Sequence, residues 1–252
     1  MSDYDRNVAA RGIGAARDVA IDAGLRAYMI RVYNYMAAGV ALTGVVAWLT
    51  YNAAVVTDAA GRVTALTPFG QAIFSGPLAI VLFLVTLGLV FFMSFRIQTL
   101  QPGTALTLFM VYAGLLGLML SSIFLAYTGA SITRTFFISA ASFGALSLYG
   151  YTTQRDLSPV GSFLTMGLFG LILAMIVNMF LKSTGLDFAI SAIGVLIFAG
   201  LTAWDTQKIK EMYSVNDDGT VAGRKAVMGA LALYLDCINL FLFLLRFLGD
   251  RR

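Results

Sequence analysis

Apolar positions along this chain neither alternate nor recur every third or fourth residue; they run on in long blocks. Seven such stretches stand at about 27–50, 77–95, 104–127, 133–149, 160–181, 187–207 and 226–249. Each is near the ~20 residues a helix needs to cross a bilayer. Polar punctuation separates them. Residues 51–70 form the longest internal loop, in which Thr67-Pro68 suits the start of a short interfacial helical turn. Ser75-Gly76-Pro77 and Gln101-Pro102-Gly103 mark turns, and Pro is well tolerated at a first helical position. Residues 152–158, 182–186 and the charged 208–225 complete the connections. Lipid offers the backbone no hydrogen-bond partner, so only helices or closed barrels span it, and runs of this length are the helical solution. The fold class is an all-α integral membrane protein, a seven-helix transmembrane bundle. The 1–26 segment is a polar cytoplasmic tail, 27–249 the membrane domain and 250–252 a charged end.

Composition agrees. The 252 residues are 59% hydrophobic and 12% charged, where soluble domains carry roughly 25% charged residues. The absence of histidine excludes His-based acid/base catalysis, haem ligation by His and HExxH zinc chemistry. A single cysteine, Cys237, excludes an intrachain disulfide and any Cys metal cluster. No nucleophile–base constellation stands out, so no enzyme is expected, and no resident cofactor. The +4 net charge reads as a topology signal rather than a nucleic-acid footprint. The 1–26 segment interleaves Arg6, Arg11, Arg17 and Arg26 with four aspartates and has no apolar h-region, so no cleavable signal peptide is expected.

Basic residues set the orientation. With the N-terminus inside and seven crossings, 11 lie on the cytoplasmic side and 6 outside, which favours a cytoplasmic N-terminus. If the last stretch dips in and returns, the split becomes 14 to 3, so the side of the C-terminus stays open. Small-residue pairs suit close helix contact: Ala140 with Gly144, Ala141 with Ala145, Gly114 with Gly117, and Gly167 with Gly170.

Two acids stand where charge is expensive. Asp236 lies near the middle of the last apolar stretch, and Asp205 near the cytoplasmic end of the sixth. An acid at mid-membrane depth costs about 2.5–3.5 kcal/mol on insertion scales. Asp236 lies 11 residues beyond Lys225, about 16 Å along a helix. The last two stretches, joined by 208–225, suit an antiparallel hairpin that places both acids in its cytoplasmic half. Two poorly solvated carboxyls would titrate as a unit, forming a pH switch that also offers oxygens to hard cations such as calcium. The plainer readings are that Asp205 pairs with Lys208 and that Asn239 or a backbone carbonyl holds Asp236. Arg96, ending the second stretch, either snorkels to the headgroups or latches onto one of these acids. Arg246 is expected to snorkel at the far end, and Cys237 to be buried and inert.

Three segments, in order, carry a resemblance. Ser147-Leu148-Tyr149-Gly150-Tyr151-Thr152-Thr153-Gln154-Arg155-Asp156-Leu157-Ser158, Trp204-Asp205-Thr206-Gln207-Lys208-Ile209, and ALYLDCINLFLFLLRFLG over 232–249 together resemble the bacterial branch of the Bax inhibitor-1 family. Trp204 stands where that family's motif has Tyr. The resemblance implies six helices around a central amphipathic seventh. It implies a hydrogen-bonded aspartate pair, matching Asp205 and Asp236, that senses pH and gates a slow calcium leak. A basic latch ends the family's second helix, and Arg96 matches that latch by placement. Some members carry further acids along the pore; here the first five stretches carry none. The expected partners are membrane lipid and calcium or another cation. The alternative is a non-transporting stress-response protein that binds a membrane protease or other membrane partner. A proton-coupled solute transporter is a third reading, with Asn178 and Asn239 as its thin polar pocket. A retinal protein is excluded by the lack of an internal lysine in the last stretch.

Overall fold

The computed structural model describes residues 3–58 and 62–251, with side chains from residue 23 onward. Arg6, Arg11, Arg17 and Arg252 therefore have side chains outside the described residues. The first helix, α1, is a single backbone helix over Asp3–Ala54, so the polar tail and the first apolar stretch share one element. The 51–70 loop contains an antiparallel hairpin of β1 (Val55–Thr57) and β2 (Val63–Leu66). Thr67 then caps α2 (Pro68–Phe74): its hydroxyl accepts from the Gly70 N–H at 3.1 Å, and Pro68 fills the first turn.

The bundle is completed by α3 (Pro77–Arg96), α4 (Pro102–Leu120), α6 (Gly129–Thr152), α7 (Ser158–Leu181), α8 (Thr184–Glu211) and α9 (Gly219–Leu248). The third apolar stretch is not one helix. Ser121 and Ser122 turn their hydroxyls back onto the Leu118 and Met119 carbonyls, a local alternative to helical bonding, and the chain breaks before a short α5 (Ile123–Ala126). Among the described residues six helices are long and apolar enough to cross a membrane. The remaining long helix, α6, has 24 residues but carries Thr133, Arg134, Thr135, Ser139 and Ser142. The molecule is an all-α multi-pass membrane protein with one small extramembrane hairpin.

Helix α9 lies deepest. It packs mainly against α1, α4, α6 and α8, while α3 leans on α4 and α7 on α8. A ring of six around one is thus a core of four around one, with two outer helices. The last apolar stretch does not turn back. Its helix is continuous, with Asp218 capping one end and the Arg251 backbone bridged to Tyr127 at the other.

Close crossings fall at some of the expected glycines, Gly117 and Gly167, and also at glycines that were not expected. A Cβ on Gly150 would stand 2.1 Å from the Ala203 carbonyl oxygen, and one on Gly161 would enter the Trp204 ring. Gly117 does sit against Thr43, but Gly114, Gly144 and Gly170 face open space. Spacing identifies a helix face without identifying its neighbour.

Candidate functional site

Asp205 and Asp236 come together. Helix α8 continues through Lys208 and Lys210 to Glu211, and α9 starts seven residues before the expected 226. The two form the most extensive helix pair in the molecule. The acids line one cavity of about 500 Å3 between α7, α8 and α9, with Asn239, Thr165 and Trp204. Asp236 is 4% exposed, and its side chain shares that cavity with Asp205. Among the described residues no amide, hydroxyl or cationic donor reaches Asp236 Oδ2. Carboxylate oxygens only accept, so two carboxyls bond to each other only when one carries a proton. Two carboxyls that share a cavity repel each other when both are ionised.

The other expected residues are distributed around this pair. Asn239 does not hold Asp236; its amide donates to the Leu235 carbonyl at 2.8 Å, though it faces the same cavity. Lys208 places its Nζ 5.0 Å from the Trp204 ring centroid and acts on Asp205 only through space, with no ion pair between them. Arg96 is exposed at the end of α3 and forms no ion pair with either acid. The cation that ties that end of the bundle is Arg224 of α9, which donates to the Leu100 and Gln98 carbonyls at 2.6 and 2.7 Å. Arg246 pairs with Asp187, which Arg251 also approaches at 3.5 Å. Cys237 turns away from the acids into a separate groove. Among the described residues there is no cluster of three or more metal-ligating side chains. Two carboxylates leave a calcium ion well short of its 6–8 oxygens.

Sequence reasoning missed the polar supports. Gln207, two residues from Asp205, clamps the α6–α7 turn: its Oε1 accepts from Leu157 N–H and its Nε2 donates to the Arg155 carbonyl, both at 2.8 Å. Lys210 adds a bond to the Tyr151 carbonyl at 2.8 Å. Two of the three recognised segments therefore meet in space. Beside Asp205, Thr206 donates to the Thr202 carbonyl and bonds Ser147 at 3.0 Å, and Ser147 bonds the Tyr33 hydroxyl at 2.5 Å. Helices α8, α6 and α1 are thus linked by hydroxyls adjoining the carboxyl pair. Gln207 was visible only as part of a motif, because its partners lie about fifty positions upstream.

Comparison with known proteins shows the family. A family profile described as inhibitor of apoptosis-promoting Bax1 matches residues 25–252. The chain is 49% identical to the uncharacterized protein RP147 of Rickettsia prowazekii over the full length of both. It is 48% identical to the inner membrane protein YbhL of Escherichia coli K12, over 91% of this chain and 94% of that one. A protein of Caulobacter vibrioides is 42% identical, again over both full lengths. With the deepest helix, its acid and the two touching segments all inside the matched region, the chain belongs to the Bax inhibitor-1 family.

Proposed function

We propose that the chain is a pH-sensitive calcium leak channel of the Bax inhibitor-1 type, gated by the hydrogen-bonded pair Asp205 and Asp236. The observation that carries this reading is the buried Asp236 Oδ2, which no donor among the described residues reaches and which shares its cavity with Asp205. A purely structural acid would collect amide or hydroxyl donors, since a buried unpartnered polar oxygen costs about 1–3 kcal/mol. In the closed state one proton bridges α8 and α9. Its loss removes that bond and places two like charges in a poorly solvated cavity, and the helices part to admit water. Calcium is cargo: it passes hydrated, with the carboxylates attracting it rather than caging it. Arg96 is free to reach the acids only after such a movement.

The finer topology belongs to the same reading. Helix α6 crosses as well, because its two ends lie at opposite ends of the bundle: Thr128 bonds Asp250, and Tyr151 bonds Lys210. Seven crossings follow, with α9 at the centre, in the inner membrane. The N-terminus is cytoplasmic, on the side of the 208–225 loop. The protein acts without catalysis.

The test is calcium influx into liposomes holding a trapped dye, from pH 6 to 8, for wild type, Asp205→Asn and Asp236→Asn. A protein-dependent flux whose pH profile changes in both variants is expected. Absence of flux from folded protein at every pH would sink the channel reading in favour of a membrane-partner protein.

A further inference from the structure

Helices α1 and α6 both rest on α9 but make little direct contact with each other. Between them lies a groove of about 780 Å3, on the face of α9 away from the acid cavity. Its walls are residues 36–47 of α1 and 132–143 of α6, and its floor is Cys237, Ile238 and Phe241. No ionisable Asp, Glu, Lys or Arg lines it. Its rims, including Val45, Phe136 and Phe137, are exposed apolar residues. They continue the surface that a multi-pass membrane protein turns to lipid, so the opening faces acyl chains rather than water.

The dimensions match one leaflet. Eleven helical steps from Met36 to Ala47 span about 16 Å at 1.5 Å per residue. Half of a ~30 Å hydrocarbon core is about 15 Å. Residues 120–124, around α5, close the groove at the end bearing the C-terminus. At mid-depth it stops at Phe143, beyond which a separate hollow begins, spanned by the Tyr33–Ser147 bond. We infer that this groove is a binding site for a single acyl chain of a phospholipid from the leaflet on the C-terminal side, which enters between α1 and α6 and rests on α9. Such a chain fills a largely apolar space, bordered by the hydroxyl residues Thr43, Thr133 and Ser139, and it keeps α1 and α6 apart without exposing α9. The site stands independently of ion conduction.

The test uses the full chain in nanodiscs of phosphatidylcholine carrying a trace of phosphatidylethanolamine with a diazirine midway along one acyl chain. Labelled peptides are mapped by mass spectrometry after illumination. Label is expected on the 237–241 segment of α9 as well as on the outer helices. Gly44 and Ala140 line the groove, and a Cβ on Gly44 meets open space, so Gly44→Phe and Ala140→Phe fill it. In both, label on 237–241 is lost while label on α3 and α7 persists. Gly170→Phe, on an exposed face of α7, leaves the pattern unchanged. Ala140→Leu serves where a Phe variant misfolds. Label confined to outer faces, label on 237–241 unaffected by filling, or a second copy crosslinked through the groove would each overturn the assignment.

Discussion

Tyr234 and Asp236 lie two residues apart on α9, both buried, and their surroundings are opposites. On the α1–α4 side the Tyr234 hydroxyl donates to Thr43 Oγ1 at 2.6 Å, and Thr43 donates onward to the Ala113 carbonyl at 2.8 Å. Its ring meets the Phe109 and Tyr112 rings edge-on, with centroids 5.3 and 6.0 Å away. The Tyr234 hydroxyl is satisfied and its ring is packed. On the α7–α8 side Asp236 faces a cavity and a second acid, with one oxygen lacking an ordinary donor. Burial alone does not mark a functional group. Tyr234 has the partners that hold a fold together, and Asp236 has beside it the acid on which the proposed response depends.

That comparison can be broken most forcefully at Tyr234. Tyr234→Ala removes an aromatic ring from the centre of the bundle and should cost about 3–5 kcal/mol, read as a large drop in melting temperature in detergent. Tyr234→Phe keeps the ring and loses one hydrogen bond, about 1 kcal/mol, with the pH profile of any flux unchanged. A pH profile that shifted in Tyr234→Phe would erase the distinction between the two faces.

Gln207→Ala tests whether the acid side depends on its own scaffold. Two hydrogen bonds to the 155–157 turn, one buried and one half-buried, are lost, for about 1–3 kcal/mol together. Limited proteolysis of the 152–158 segment should accelerate accordingly. Asp236→Asn should change stability by less than either, because an amide can donate to the remaining Asp205 carboxylate while removing an excess acid; thermal melts at neutral pH check this.

The smallest effect is a control outside the bundle. The Ser158 backbone N–H and hydroxyl hold the exposed Asp156 carboxyl below the usual carboxylate range, with the N–H contact at 2.8 Å. A lowered folded value means its contribution is complete above the ordinary ~3.9 and fades as pH falls through the lowered value. The melting difference between wild type and Asp156→Ala should therefore be small at neutral pH and vanish in acid. Flux near neutrality should not register it.

How much of this could be read beforehand follows from the physics of each residue. Asp205 and Asp236 were legible because a carboxylate inside an apolar run is conspicuous by its cost. Tyr234 was not, since a tyrosine in such a run is unremarked and its partner Thr43 lies 191 positions away. The long apolar helices were legible from run length, but the break at Ser121-Ser122 was not, because serine is polar enough to bend a helix yet too mild to end a hydropathy run. Arg96 drew notice by ending a helix. Arg224 was passed over as one more loop cation, although it holds the α3–α4 turn. Position along a span is written in the sequence; which neighbour a side chain finds is decided by packing.

The central claim is that the two carboxyls share a proton whose loss opens the bundle. Infrared difference spectroscopy across a pH step, in the same liposomes used for flux, tests it most directly. A protonated-carboxyl carbonyl band that disappears with the pH step that raises flux, and is missing in both Asp205→Asn and Asp236→Asn, is the predicted result. A band that survives in either variant, or that vanishes at a pH where flux does not change, would contradict it.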